Sequence, residues 1–297
     1  MKGSHRTSEF FGAYYFSDII ANVLEDPLEY MQGLEAFCDG DAAQTFLTPF
    51  PKWSALHRFA AFMIGDLFWE TDVVNYKKPT ERQVHWERFM AEVGEEPGGL
   101  WIERAFRRHG IEFEPFTNWN RDPEELEEDV LFDWYRELKL SVEYDKLVTH
   151  LSTDVFTILF ANRKVLLDLN QLIAQDLVSA GVDDEDYLPF ATQDGRAKRQ
   201  PVPQWASRAV FYRDRGRCCF CRRDLTGLLS PQFAKHLDHI VPLAEGGIND
   251  VTNLQLLCET CNTRKGGRSA ATSAIYETWY DERDRPRRIA LPQPGRP

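Results

Sequence analysis

Two Cys-x-x-Cys pairs, Cys218 with Cys221 and Cys258 with Cys261, are the residues of this chain best suited to chemistry. Two thiolates two residues apart can face one ion from a tight turn, and two such turns complete the four-sulfur tetrahedral shell of a structural Zn²⁺. Cys219 leaves the first pair ambiguous, because Cys218-Cys219-Phe220-Cys221 contains two spacings. Cys218 matches the second pair and is the expected ligand. A disulfide framework is the competing use of four cysteines, but no apolar signal segment follows the polar run Met1 to Glu9. That points to a reducing, cytoplasmic setting and so to metal. Cys38, among acidic residues, reads as an unpaired thiol.

Between the pairs lie 36 residues, more than the roughly 15–20 of a compact zinc ribbon, so a folded insert is expected. It carries an Asp238-His239 dipeptide. Residues Lys235 to Leu243 read as a strand whose alternation places His236, Asp238 and Ile240 on one face and Leu237, His239 and Val241 on the other. A turn-rich loop from Ala244 to Asp250 follows, then a short strand from Leu254 to Leu257, then a helix carrying Cys261, Asn262, Arg264 and Lys265. Gln204 to Arg215 predicts a short helix leading into the first cysteine turn.

The residues that precede this segment read as mostly helical. From Asp145 to Ser179 apolar residues recur at three- and four-residue steps, which predicts one long amphipathic helix. Asp122-Pro123 followed by glutamates predicts a helix start, and similar periodicity runs through Asp18 to Phe37, Ser54 to Trp69 and Thr80 to Val93. The scattered tryptophans read as core rather than an aromatic cage, and so do His57, His85, His109 and His150, none in a ligand spacing. The resulting division is a mostly helical acidic domain over 1–195, a linker at 196–204, a second domain at 205–280, and a Pro- and Arg-rich tail at 281–297 expected to be disordered. No apolar run approaches the roughly 18–20 residues of a membrane span.

Charge divides along the same line. The chain carries −12 overall, yet from Ala197 onward 17 Lys and Arg face 10 Asp and Glu, a surplus of +7 that leaves −19 on the rest. A basic segment joined to an acidic one suits a protein whose first part meets phosphate and whose second meets a protein partner, self-associates or restrains its neighbour.

Leu237-Asp238-His239-Ile240-Val241-Pro242-Leu243, the Gly246-Gly247 pair, Asn253-Leu254-Gln255-Leu256-Leu257-Cys258 and Cys261-Asn262-Thr263-Arg264-Lys265-Gly266 together resemble the HNH endonuclease family over roughly residues 205 to 268. The resemblance implies a small α+β domain, the ββα-metal fold with a structural zinc, joined to the mainly α N-terminal domain. It implies that His239 is the general base, that Asp238 binds the catalytic cation, that Asn253 fixes the loop orienting the imidazole, and that Asn262 is the last metal ligand. Many relatives have histidine at that last position. An oxygen donor set of this kind favours Mg²⁺ or Mn²⁺. Arg264, Lys265, Arg217 and Arg222 are expected to contact the phosphate backbone. The implied activity is metal-dependent hydrolysis of duplex DNA, and the large acidic domain, which resembles a sensor or docking element, points to restriction or antiviral defence. The alternative is a zinc-stabilised nucleic-acid-binding module without catalysis.

Overall fold

The computed structural model describes residues 10–30, 34, 36–37, 41–76, 99–119, 127–182, 185–228 and 235–276. Cys38, the helix expected at Thr80 to Val93, the helix start at Pro123 and the tail at 281–297 lie outside them. Among the described residues the first part has six longer helices: α1 (Phe10–Glu25), α2 (Ala55–Trp69), α3 (Trp101–Arg108), α4 (Glu127–Leu138), α5 (Val142–Leu159) and α6 (Arg163–Ala180). Short helical turns stand between several of them. The C-terminal part contains α7 (Gln204–Arg213), β1 (Lys235–His239), β2 (Leu254–Cys258) and α8 (Glu259–Lys265). No helix among the described residues is long and apolar enough to cross a membrane.

α1 and α2 both pack on α5, and α6 packs on α1. The apolar stripes meet in a core built from Ile20, Leu56, Phe59, Ile64, Phe68, Leu147, Val155, Leu166 and Ile173, which supplies most of the folding drive. α3 begins where the Asp72 carboxylate accepts the backbone N–H groups of Trp101 (2.6 Å) and Ile102 (2.8 Å). The carboxylate thus satisfies two orphan donors of the helix start, although burial still raises the Asp72 pKa to about 6.

The single helix expected over Asp145 to Ser179 is two. α5 ends at Leu159, and Asn162 caps α6 with its side-chain oxygen, accepting from the N–H groups of Lys164 and Val165. The apolar period runs on through the break, so periodicity alone cannot see it. What the break achieves is the placement of Arg163 at the front of α6, fully buried. Its Nη1 donates to Asp214 Oδ1 (3.2 Å), its Nε and Nη2 to the carbonyl of Ser273 (3.1 and 2.9 Å), and its Nη2 to the carbonyl of Ile275 (2.9 Å). Asp214 in turn accepts the N–H of Leu256 (2.9 Å) and both arms of Arg213 (2.9 Å each). Burial alone would raise the Asp214 pKa, but Arg213, the Leu256 N–H and Arg163 outweigh it and hold the carboxyl below its ordinary value. Replacing Arg163 by Ala should lower stability by about 3 kcal/mol, the lower end for breaking a buried pair, because Arg213 still partners Asp214. The shift in urea midpoint checks this, with Arg136→Ala on the exposed face of α4 expected to change nothing measurable.

Other contacts also join the helices to the C-terminal part. Ile240 and Ile248 sit in the helical core, while Phe50 and Phe160 pack on the cluster around Val210, Leu254 and Leu256. Ala55 N–H at the start of α2 donates to Asp250 Oδ2 (3.1 Å), and Phe50 N–H to the carbonyl of Asn249 (2.7 Å). His57 stabilises that corner. Its Nδ1 accepts the Ser54 N–H (3.2 Å) and lies 2.8 Å from Ser54 Oγ, while its ring stacks between Trp53 and Phe156. Accepting at Nδ1 requires the neutral ring, and burial lowers the pKa from 6.5 to about 4. The folded state thus binds fewer protons than the unfolded chain between these values, so the stabilisation is complete above pH 6.5 and is lost as pH falls toward 4. From pH 7 to pH 5 the His57 contribution should fall by about 2 kcal/mol, read as the part of the denaturation midpoint shift that His57→Gln abolishes.

Candidate active site and metal centre

α7 ends at Arg213, and Arg215 and Gly216, both with positive φ, turn the chain into the first cysteine loop. There the Cys218 N–H donates to the Arg223 carbonyl (2.9 Å) and the Arg222 N–H to the Cys218 carbonyl (2.9 Å), with Arg222 at φ 62 closing the turn. The second pair straddles a helix start, Cys258 at the cap of α8 and Cys261 in its first turn. The Sγ atoms of Cys218, Cys221, Cys258 and Cys261 all lie within 4.8 Å of one another, and Cys221 and Cys258 are 3.7 Å apart. A tetrahedron with Zn–S of about 2.3 Å has S···S edges of ~3.8 Å, so the four thiols fit zinc.

Cys219 is not part of the group. Its N–H donates to the Leu256 carbonyl (2.9 Å), its side chain is buried, and burial together with Asp214 pushes its thiol up to about 12. Burial also acts against ionisation of Cys218, but N–H groups of Cys221, Cys258 and Phe220 bring it down to about 7, which favours the thiolate a metal needs. Arg264 Nη2 lies 3.9 Å from Cys261 Sγ, placing a cation against the sulfur cluster. Arg217 and Arg222 are half-buried beside the same loop.

β1 and β2 pair antiparallel, with Asp238 opposite Gln255 and His239 opposite Leu254. α8 packs across both strands. Asp238 Oδ2 accepts from Gln255 Nε2 (2.9 Å) and lies 3.0 Å from Lys265 Nζ, which also donates to the His239 carbonyl (2.7 Å). The Lys265 side chain is only 2% exposed. Its ammonium braces Asp238 and the end of β1, so direct contact with phosphate would require that pair to open.

The strand is shorter than expected, ending at His239 instead of Leu243. Pro242 has no N–H for a ladder, and Asn253 takes the backbone groups that pairing would use. The Val241 N–H donates to Asn253 Oδ1 (2.8 Å), and Asn253 Nδ2 donates to the carbonyls of Val241 (2.9 Å) and Ile248 (2.9 Å). A Cβ on Gly247 would lie 2.0 Å from the Val241 oxygen and 2.9 Å from Asn253 Nδ2. Glycine at 247 is what lets this amide clamp close.

With the strand ended there, Asp238 and His239 line one cleft of about 510 Å³ despite their alternate positions on β1. His239 is buried, and its Nε2 has no hydrogen-bond partner among the described residues. Burial lowers its pKa to about 4, helped by the charge of Arg199 and opposed by the neighbouring Asn249 side chain. The ring is therefore neutral at pH 7 and can accept a proton. Asp238 Oδ1 bears no hydrogen bond among the described residues, which leaves one carboxylate oxygen for a cation. Asn262 is half-buried on α8 and is not among the residues lining the cleft. His236 Nε2 is buried without a hydrogen-bond partner among the described residues.

Gln255, Asn249 and Arg199 belong to the site and carry no motif. Antiparallel pairing of the two expected strands could have identified Gln255 as the neighbour of Asp238, whereas nothing local marks the other two. No curated protein and no solved structure matches this chain. Residues 221–268 match the family model described as HNH endonuclease, the stretch that holds β1, β2, α8 and three of the four clustered cysteines. The C-terminal part of this chain carries an HNH endonuclease domain.

Proposed function

We propose that the C-terminal part hydrolyses DNA phosphodiester bonds, with a structural zinc in the four-cysteine site and Mg²⁺ or Mn²⁺ at Asp238, and with His239 as general base. The observation that carries this reading is that His239, a neutral ring whose buried Nε2 has no hydrogen-bond partner among the described residues, lines the same cleft as Asp238. A hydrolytic water needs a proton acceptor within reach. The cation, when bound, supplies charge stabilisation on the phosphate and the leaving oxygen. Asp238 would hold it through Oδ1, and Asn262 would be a further ligand. Asn253 fixes the turn that follows the histidine, and Lys265 and Gln255 hold the carboxylate in place. A pKa of about 4 makes the free ring a weak base, but a phosphate entering the cleft adds negative charge beside it and raises its basicity. The base thus strengthens when substrate arrives.

A binding module without catalysis is the second reading, and the Lys265–Asp238 pair is the observation that favours it, since an ammonium already sits on one oxygen of the carboxylate that would bind the cation. The acidity of the helical part supports a docking, assembly or restraining role for residues 1–195, in a restriction or defence setting. Supercoiled plasmid incubated with the full chain and Mg²⁺ or Mn²⁺, then deproteinised before electrophoresis, separates the two readings. Nicked and linear DNA are expected; retardation before deproteinisation with intact plasmid afterwards would favour the binding module.

A further inference from the structure

The cleft at Asp238 and His239 has a wall that comes from outside the segment matched to the endonuclease family. Residues 187–200 fold back as a tight hairpin, in which Ala191 pairs with Ala197, the Thr192 N–H donates to the Arg196 carbonyl (2.9 Å) and the Lys198 N–H to the Phe190 carbonyl (2.7 Å). Its tip is pressed onto α6, for at Gly195, φ +76, a Cβ would lie 2.1 Å from the Leu177 oxygen. Its returning arm is tied to the loop after β1, where Asn249 Nδ2 donates to the Lys198 carbonyl (2.8 Å) and Arg196 Nε to the Ala244 carbonyl (2.9 Å). The hairpin is thus a fixed part of the cleft, and Arg196, Lys198 and Arg199 line it together with Asp238 and His239.

Two of these three cations already have partners. Arg196 is paired with Asp194 and with the Ala244 carbonyl, and Lys198 Nζ donates to the Leu188 carbonyl (2.6 Å). Arg199 is exposed and makes no hydrogen bond or ion pair among the described residues. Its charge nevertheless acts on the His239 ring. An exposed guanidinium with no partner among the described residues, lining one cleft with a histidine whose buried Nε2 has none there either, suits a ligand that brings negative charge to the first and a transferable proton to the second. A phosphodiester with its attacking water does both.

We propose that Arg199 grips a non-bridging oxygen of the phosphodiester that is cut, so that the hairpin before the zinc module completes the nuclease site. The inference rests on the nuclease reading above and adds to it a substrate contact from residues ahead of the HNH segment. Because Arg199 has no partner among the described residues, Arg199→Ala should keep its zinc content and its thermal midpoint.

Two measurements on the full chain test it. In the first, binding of a labelled DNA duplex is followed across a salt series in EDTA, in the His239→Ala background. One lost phosphate contact should reduce the slope of log affinity against log salt by ~0.9 in Arg199→Ala, with Arg199→Lys restoring it. Arg136→Ala, which removes the same charge from α4, should keep the full slope. In the second, single-turnover cleavage with the histidine intact should be about 10²-fold slower in Arg199→Ala and only partly rescued by lysine, which lacks the two-pronged fork. A slope and a rate matching those of Arg136→Ala would overturn the inference, as would a reduced slope with undiminished cleavage, since the contact would then lie away from the scissile phosphate. If the wild-type chain cleaves nothing, the nuclease reading fails and the slope alone decides whether Arg199 meets phosphate: a loss of ~0.9 supports the contact and no loss overturns it.

Discussion

His239→Ala should slow cleavage by about 10²- to 10⁴-fold, while leaving zinc content and DNA affinity close to those of the wild type. The expectation follows from where the ring sits. The residue lines the cleft and its buried Nε2 has no hydrogen-bond partner among the described residues, so removing the ring gives up only the neighbouring Asn249 side chain. The strand end is kept by other groups, namely Lys265 Nζ on the His239 carbonyl and the Asn253 clamp on Val241. A base contributes to the transition state and little to phosphate affinity. Asp238→Ala should differ in kind, because it removes the partner of Lys265 and Gln255 as well as a cation ligand. Its DNA affinity should rise slightly, as a buried ammonium is freed to meet phosphate, while its cleavage no longer responds to added divalent ion. Rates under single turnover, with zinc measured on the same preparations, distinguish the two variants.

Cys258→Ser should remove zinc and unfold the C-terminal part. The two strands span five residues each, too little for an independent sheet. Cys218, Cys258 and Cys261 are buried members of the cluster that holds α7 against β2. Structural zinc contributes on the order of 10 kcal/mol to small folds of this kind. A serine in place of Cys258 leaves three thiolates without a shell. Because Arg163, Phe50 and Ala55 of the helical part bind backbone and side chains of that region, its unfolding should also lower the stability of the helices. Hydrogen exchange should show protection lost from 205–276 first, with weaker protection along α5 and α6, and metal analysis should show less than one zinc per chain.

The four-cysteine cluster and the family segment are legible, and the candidate site residues can be proposed, because their identities and spacing are local. Two turns of Cys-x-x-Cys, an Asp-His pair on a short strand and Asn253 at the start of the next need no knowledge of what packs on them. The helices were legible where a periodic stretch had its own ends, as at Ser54 to Trp69. They were misread at Phe160 to Asn162, where the break places Arg163 on Asp214, 51 residues further along. Such a partner leaves no trace in periodicity. The same holds for the end of β1, which is decided by the Asn253 side chain reaching across the loop. Arg199 was hidden for a related reason. Its segment reads as a proline-flanked basic stretch, and only backbone pairing between Ala191 and Ala197 turns it toward the cleft.

The most direct measurement is strand cleavage by the full-length chain as a function of added Mg²⁺ or Mn²⁺. The protein is first dialysed against EDTA under conditions that keep its zinc, and supercoiled DNA is the substrate. Cleavage should be absent in EDTA, should rise to saturation with the divalent ion, and should vanish again in His239→Ala at the same metal concentration. Intact plasmid at every concentration of either ion, with zinc present and DNA bound, would contradict the assignment of Asp238 and His239 to hydrolysis.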